Sequence, residues 1–99
     1  MTLAARIPQP PHFQAGQLLM TTGVKALVLK EQLNLLPYLA RHLNGDWGDI
    51  PPEDARLNRA ALRDGDRLLS AYQVTPELRV WIITESDRSA TTVLLPEEY

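Results

Sequence analysis

Apolar and polar positions change rhythm along this chain, and the changes mark its elements. Gln17 to Thr22 (QLLMTT) is a short apolar, β-branched run ended by Gly23, and Val24 to Leu29 (VKALVL) continues it past a bulge at that glycine, which predicts a first strand. From Leu33 to Leu43 the apolar positions Leu35, Leu36, Leu39, Ala40 and Leu43 recur at helical spacing. Asn34 serves as N-cap of that helix, Pro37 sits in its first turn and Gly45 stops it. A second helix is expected from Pro51 to Asp64: Pro51 and Pro52 suit a first turn, Glu53 and Asp54 suit its positive end, and Gly65 terminates it. The rhythm then becomes that of strands, in Arg67 to Val74, Leu78 to Thr84 and Thr91 to Leu95, with short polar spacers that imply an antiparallel meander.

One strand, two helices and three strands predict an α+β fold: a four-stranded, mainly antiparallel sheet with two helices packed on one face. Pro8, Pro10 and Pro11 block both helix and ladder, so residues 1–15 read as an extended proline-rich arm and residues 16–99 as a single α+β domain. The length of 99 residues allows one core and no second lobe. With 44% hydrophobic and 22% charged residues the chain is neither disordered nor collagen-like.

The absence of cysteine excludes disulfides, thiolate zinc sites and thiol nucleophiles. No apolar stretch approaches the ~20 residues of a membrane span, and the first residues lack the apolar core of a secretory signal, so a cytoplasmic protein that does not enter a membrane is expected. A net charge of -2 removes the global attraction to phosphate that most nucleic-acid binders use, yet leaves room for a local basic patch.

Four features could carry chemistry. In Gly45-Asp46-Trp47-Gly48-Asp49 the indole is either a plug under a tight connection or a recognition knob flanked by carboxylates. Arg56, Arg59 and Arg63 share one face of the second helix, as a phosphate-tracking stripe would, although Glu53, Asp54 and Asp64 lie close enough to offset part of that charge. Glu85-Ser86-Asp87-Arg88-Ser89 gathers two carboxylates, a guanidinium and two hydroxyls in one turn. His42, Asp46, Asp49 and Asp54 fall within a short span, but Gly45 interrupts the helix that would align them on a metal, and His42 reads as a capping or solvated residue. Ser86 and Ser89 lack a glycine-framed nucleophile elbow, and no Gly-rich phosphate loop is present. No catalytic residue, metal ligand or cofactor site is assigned.

GDWGDIPPED with Asn58, the LLSAYQV strand and WIITESDRSATTVLLPEEY resemble small proteins found on bacterial plasmids, phages and integrative elements, over about Leu35 to Tyr99. That resemblance implies an accessory role in the life of a mobile genetic element and brings no mechanism. The reading is then a non-enzymatic module that binds a protein partner, a host defence or replication component, or itself as a homodimer, with Asp46, Trp47, Asp49, Glu85, Asp87 and Arg88 as the candidate contacts. The alternative is a weak nucleic-acid-binding regulator using Arg56, Arg59 and Arg63. A third is an enzyme whose Asp46/Asp49 and Glu85/Asp87 carboxylates converge in a pocket.

Overall fold

The computed structural model describes residues 12–99. The elements run β1 (Gln17–Met20), α1 (Thr22–Leu29), α2 (Leu36–Leu43), α3 (Pro52–Asp64), β2 (Leu68–Thr75), β3 (Leu78–Thr84) and β4 (Ala90–Leu94), then a short 3₁₀ turn, Pro96–Glu98. The fold is α+β, with one four-stranded mixed sheet in the order β1-β4-β3-β2. The β2–β3–β4 meander is antiparallel, as its short spacers predict, and β1 joins β4 in parallel.

Val24 to Leu29 is helix rather than a continued strand, so the described residues hold three helices where the pattern predicts two. Two causes outweigh the β-branched composition. Val24, Leu27 and Val28, spaced one helical turn apart, all pack into the main core. The Glu98 carboxylate also sits at the N-terminus of α1, accepting hydrogen bonds from the Gly23 N–H at 2.9 Å and from the Thr21 hydroxyl. An anion there satisfies donors that the first helical turn leaves orphaned, and the bond from the Thr21 hydroxyl, with those from the Leu95 and Gly23 N–H groups, holds the Glu98 carboxyl below its usual range.

The boundaries of α3 follow its signals: Pro51 and Pro52 open it, and Gly65 closes it in the left-handed conformation at φ 76°. Helix α2 starts later than expected. Leu35 occupies its N-cap position, and Asn34 caps from one residue further out, its side-chain oxygen accepting the Leu36 N–H at 3.3 Å. The buried face of α2 is rotated from the expected one: Leu35, Tyr38, Leu39 and His42 turn inward, while Leu36 and Ala40 face out.

The main core lies between one sheet face (Tyr72, Val80, Ile82, Val93) and helices α1 and α2. A second cluster, Trp47, Ala61 and Leu68 with Phe13 and Leu62 packed on it, fixes α3 against the β2 side of the sheet. Of the expected arm, His12 to Ala15 dock on the body: the His12 N–H donates to the Leu43 carbonyl, and Phe13 stacks on Trp47. The rest of the arm lies outside the described residues. No helix among the described residues is long and apolar enough to cross a membrane.

Candidate functional site: one sealed and one open sheet edge

A four-stranded sheet has two edge strands, whose outward N–H and C=O groups lack a strand partner. In this protein the two edges, β2 and β1, are treated in opposite ways.

The β2 edge is occupied by the chain's own groups, residue after alternate residue. The Asn58 amide accepts the Leu69 N–H at 3.2 Å and donates to the Leu69 carbonyl at 2.7 Å. The Ala71 N–H donates to the Trp47 carbonyl at 3.1 Å, and the Asp49 N–H donates to the Ala71 carbonyl at 2.6 Å. The Asp49 carboxylate then accepts the Gln73 N–H at 2.9 Å.

The Gly45–Asp49 loop can lie this close only because Gly48 has no side chain: at φ 73°, a Cβ there would fall 2.2 Å from the Ala71 carbonyl oxygen. Trp47 anchors the loop from below and is only 6% exposed, so its indole is a plug and not a recognition knob. Asp46 turns the loop by accepting the Gly48 N–H, pairs with Arg41 at 2.6 Å and receives the Tyr72 hydroxyl on its carbonyl. The Arg41 guanidinium holds the Asp46 carboxyl below the usual range, and burial pushes the Tyr72 hydroxyl up to about 12.

The Glu85–Ser89 turn is likewise committed inward at Arg88. With its backbone at φ 61°, Arg88 donates to the carbonyls of Asp66 at 2.7 Å and Ala61 at 3.1 Å, near the C-terminal end of α3 where a cation is favoured. Asp87 accepts the Ser89 N–H, and bonds from Ser89 hold its carboxyl below the usual range. Glu85 is exposed. The two acidic segments flank different ends of β2, Asp49 beside Gln73 and Arg88 beside the start of the strand, and are not brought into one pocket. Among the described residues no three His, Asp or Glu side chains gather as a metal site.

A buried polar chain that no sequence motif announces runs through the interior from Ser70 to Ala15. His42 lies wholly inside, against the rings of Phe13 and Trp47. Its Nδ1 meets the Ser70 hydroxyl at 2.5 Å and its Nε2 the Thr84 hydroxyl at 2.9 Å. Thr84 meets the Thr91 hydroxyl at 2.7 Å, and Thr91 donates to the Ala15 carbonyl. That last acceptor sets the protons as far as the ring: Thr91 accepts from Thr84, and Thr84 accepts from Nε2–H. Burial lowers the His42 pKa to about 4, so the ring is the neutral Nε2–H tautomer and its Nδ1 accepts from Ser70. Ser70, Thr84 and Thr91 sit at inward-facing strand positions among apolar neighbours, which is the signal that could have revealed them.

Among the described residues the β1 edge has no strand partner on its outer side. All four residues of β1 are exposed, with Leu18 56%, Leu19 42% and Met20 42% accessible, and none is charged. Beside them Leu35, Leu36 and Leu39 of α2 complete a groove of about 190 Å³ with Val93 as its floor. Arg56, Arg59 and Arg63 are exposed on α3, and the one ion pair among the described residues is Arg41–Asp46, so the acids expected to offset the stripe do not pair with it.

No family model, no curated protein and no solved structure matches this chain.

Proposed function

We propose that this chain is a non-enzymatic protein-binding module that adds a partner's extended strand to its β1 edge. The partner is an uncharged or weakly charged segment with apolar side chains above and below the strand, able to fill the groove beside α2. The observation that carries the reading is the asymmetry of the edges: the fold spends a loop, a tryptophan and an asparagine on closing β2, and leaves β1 apolar and free of the charges that ordinarily guard an edge. The sealed position of the His42–Ser70 pair, with both residues inaccessible, supports the non-enzymatic part. In keeping with the resemblance above, the role is that of an accessory protein of a mobile genetic element, its partner a host defence or replication component or a second copy of itself.

The test is positional. A photo-crosslinking side chain at Leu36, which is 72% exposed beside the groove, is expected to trap protein, and the same group at Gln73 on the closed edge is expected to trap none. Equal capture at both positions, or none at Leu36, overturns the reading.

A second reading rests on the exposed Arg56, Arg59 and Arg63 side chains, which form no ion pair among the described residues. They would track a nucleic-acid backbone with a weak, salt-dependent affinity, the slope of log K against log salt being ~-2.7 for three duplex phosphate contacts. Replacing all three by Ala removes that slope if the stripe is the site.

A further inference from the structure

The proposal above fixes an edge and leaves its occupant open; resting on that reading, we infer that the occupant is a second copy of this chain, paired β1 to β1 in antiparallel fashion. Three observations lead there.

The first is hydrogen-bond phase. The Gln17 N–H donates to the Ser89 carbonyl at 2.9 Å and the Thr21 N–H to the Val93 carbonyl at 3.1 Å. In a parallel ladder alternate residues send both backbone groups to the same neighbour, so Leu18 and Met20 send theirs outward. Two N–H and two C=O groups at that spacing match an inverted copy of themselves. Leu18 faces Met20 of the second copy, Met20 faces its Leu18, four hydrogen bonds form, and the two Leu19 side chains meet on the two-fold axis.

The second is charge. The run QLLMTT contains no ionisable side chain, so an antiparallel copy brings no like charges opposite one another, and a net charge of -2 per chain adds little long-range repulsion.

The third is closure. A sheet with two free edges would add copies head to tail without end. With β2 filled by Asn58, Trp47 and Asp49, a β1-to-β2 contact is blocked, and a β1-to-β1 contact is isologous and stops at two. Leu18 and Met20 pair with Thr91 and Val93 on the helix-covered face, which places Leu36 of each copy where it flanks the joined strands. Four residues of strand fall well short of the about 800 Å² per partner of a standard interface, so the α2 flank has to contribute and the dimer is a weak one, with Kd on the order of micromolar.

The test is a charge exchange at the two-fold axis, read by light scattering on the full chain over a concentration series. The wild type is expected to move from 11.1 kDa to twice that mass as concentration rises. Leu19→Lys and Leu19→Glu each place like charges face to face, and each is expected to need at least tenfold more protein than the wild type to dimerise. An equimolar mixture of the two variants is expected to recover the doubled mass. Leu19 lies on the sheet face opposite the main core and is partly exposed, so both variants keep the fold, as unchanged far-UV circular dichroism would show. A wild type that remains monomeric at roughly millimolar concentration overturns the inference, and so does a dimer indifferent to both variants. If a monomeric wild type is still trapped by another protein at Leu36, the edge reading survives and only the second copy is wrong; without that capture both fall.

Discussion

The side-chain amide of Asn58 holds both backbone polar groups of Leu69, accepting its N–H and donating to its carbonyl, from a helix that starts and ends outside the sheet. A single residue thus stands in for a neighbouring strand.

Replacing Asn58 by Ala removes both partners at once at a site only 5% exposed. Urea denaturation is expected to show a loss of roughly 1–3 kcal/mol, since a buried amide and carbonyl are left without partners. Asn58→Asp keeps an acceptor for the N–H but offers no donor to the carbonyl, and is expected to recover little. A loss below about 0.5 kcal/mol for Asn58→Ala would mean that water replaces the amide at no cost.

Gly48 and Gly65 form a matched pair. Both have left-handed backbone, at φ 73° and 76°, but a Cβ at Gly48 collides with the Ala71 carbonyl and the Tyr72 ring while a Cβ at Gly65 meets nothing within 4 Å. Gly65→Ala is expected to cost about 1 kcal/mol of backbone strain. Gly48→Ala adds displacement of the loop and is expected to exceed that by about 2 kcal/mol or more. It should also speed amide exchange at Ala71 and Gln73, whose acceptors belong to that loop. Equal costs at the two positions would contradict the close approach.

His42 makes stability depend on pH in a defined window. Its pKa is about 4 folded against about 6.5 in the unfolded chain, so between these values the unfolded state binds the extra proton. Stability is then fully present above pH 6.5 and falls as pH drops toward 4, by roughly 3 kcal/mol across the window. The depressed carboxyls of Asp46, Asp87 and Glu98 act in the same direction but only below the ordinary carboxylate range, so the two effects separate on the pH axis. Denaturation of wild type and His42→Gln at pH 4.5 and 7 checks this: the variant should be less stable at neutral pH yet nearly flat over the interval. A wild type flat over the same interval would place His42 in contact with water.

Iodide quenching should divide the two tryptophans. Trp47 is 6% exposed and Trp81 is partly exposed, with Tyr99 set edge-on at 5.5 Å. Trp47→Phe is expected to leave emission that is more readily quenched than that of the wild type. Trp47→Ala removes the anchor of the loop and is expected to cost about 3–5 kcal/mol.

How far the fold could be read from the chain depends on where each determinant lies. Helix α3 and the three-strand meander were legible because their punctuation is local: two prolines in, a left-handed glycine out, then alternation with short polar turns. Helix α1 was not, because the carboxylate that opens it comes from Glu98 and the core that selects it comes from the sheet. The glycine frame around Trp47 fits either a plug or a recognition knob, and only the fold, which buries the indole, decides for the plug. That the same loop closes a sheet edge depends on its register against Ala71, which no neighbouring residue encodes. Arg88 looked like an outward contact because its turn is polar; the positive φ that folds it back onto the end of α3 is uncommon for an arginine and invisible to composition.

The parallel pairing of β1 with β4 has a consequence for synthesis. Gln17 leaves the ribosome long before Ala90, its partner in the ladder, and at 5–20 residues per second the delay is several seconds. The meander can form from local contacts as soon as it emerges, whereas β1 has to wait for the last strand and close the longest loop in the domain. Until then both sides of QLLM lack a strand neighbour. The segment that ends as an open edge therefore begins as two, and the nascent chain is open to unwanted pairing at the edge proposed above as the binding site.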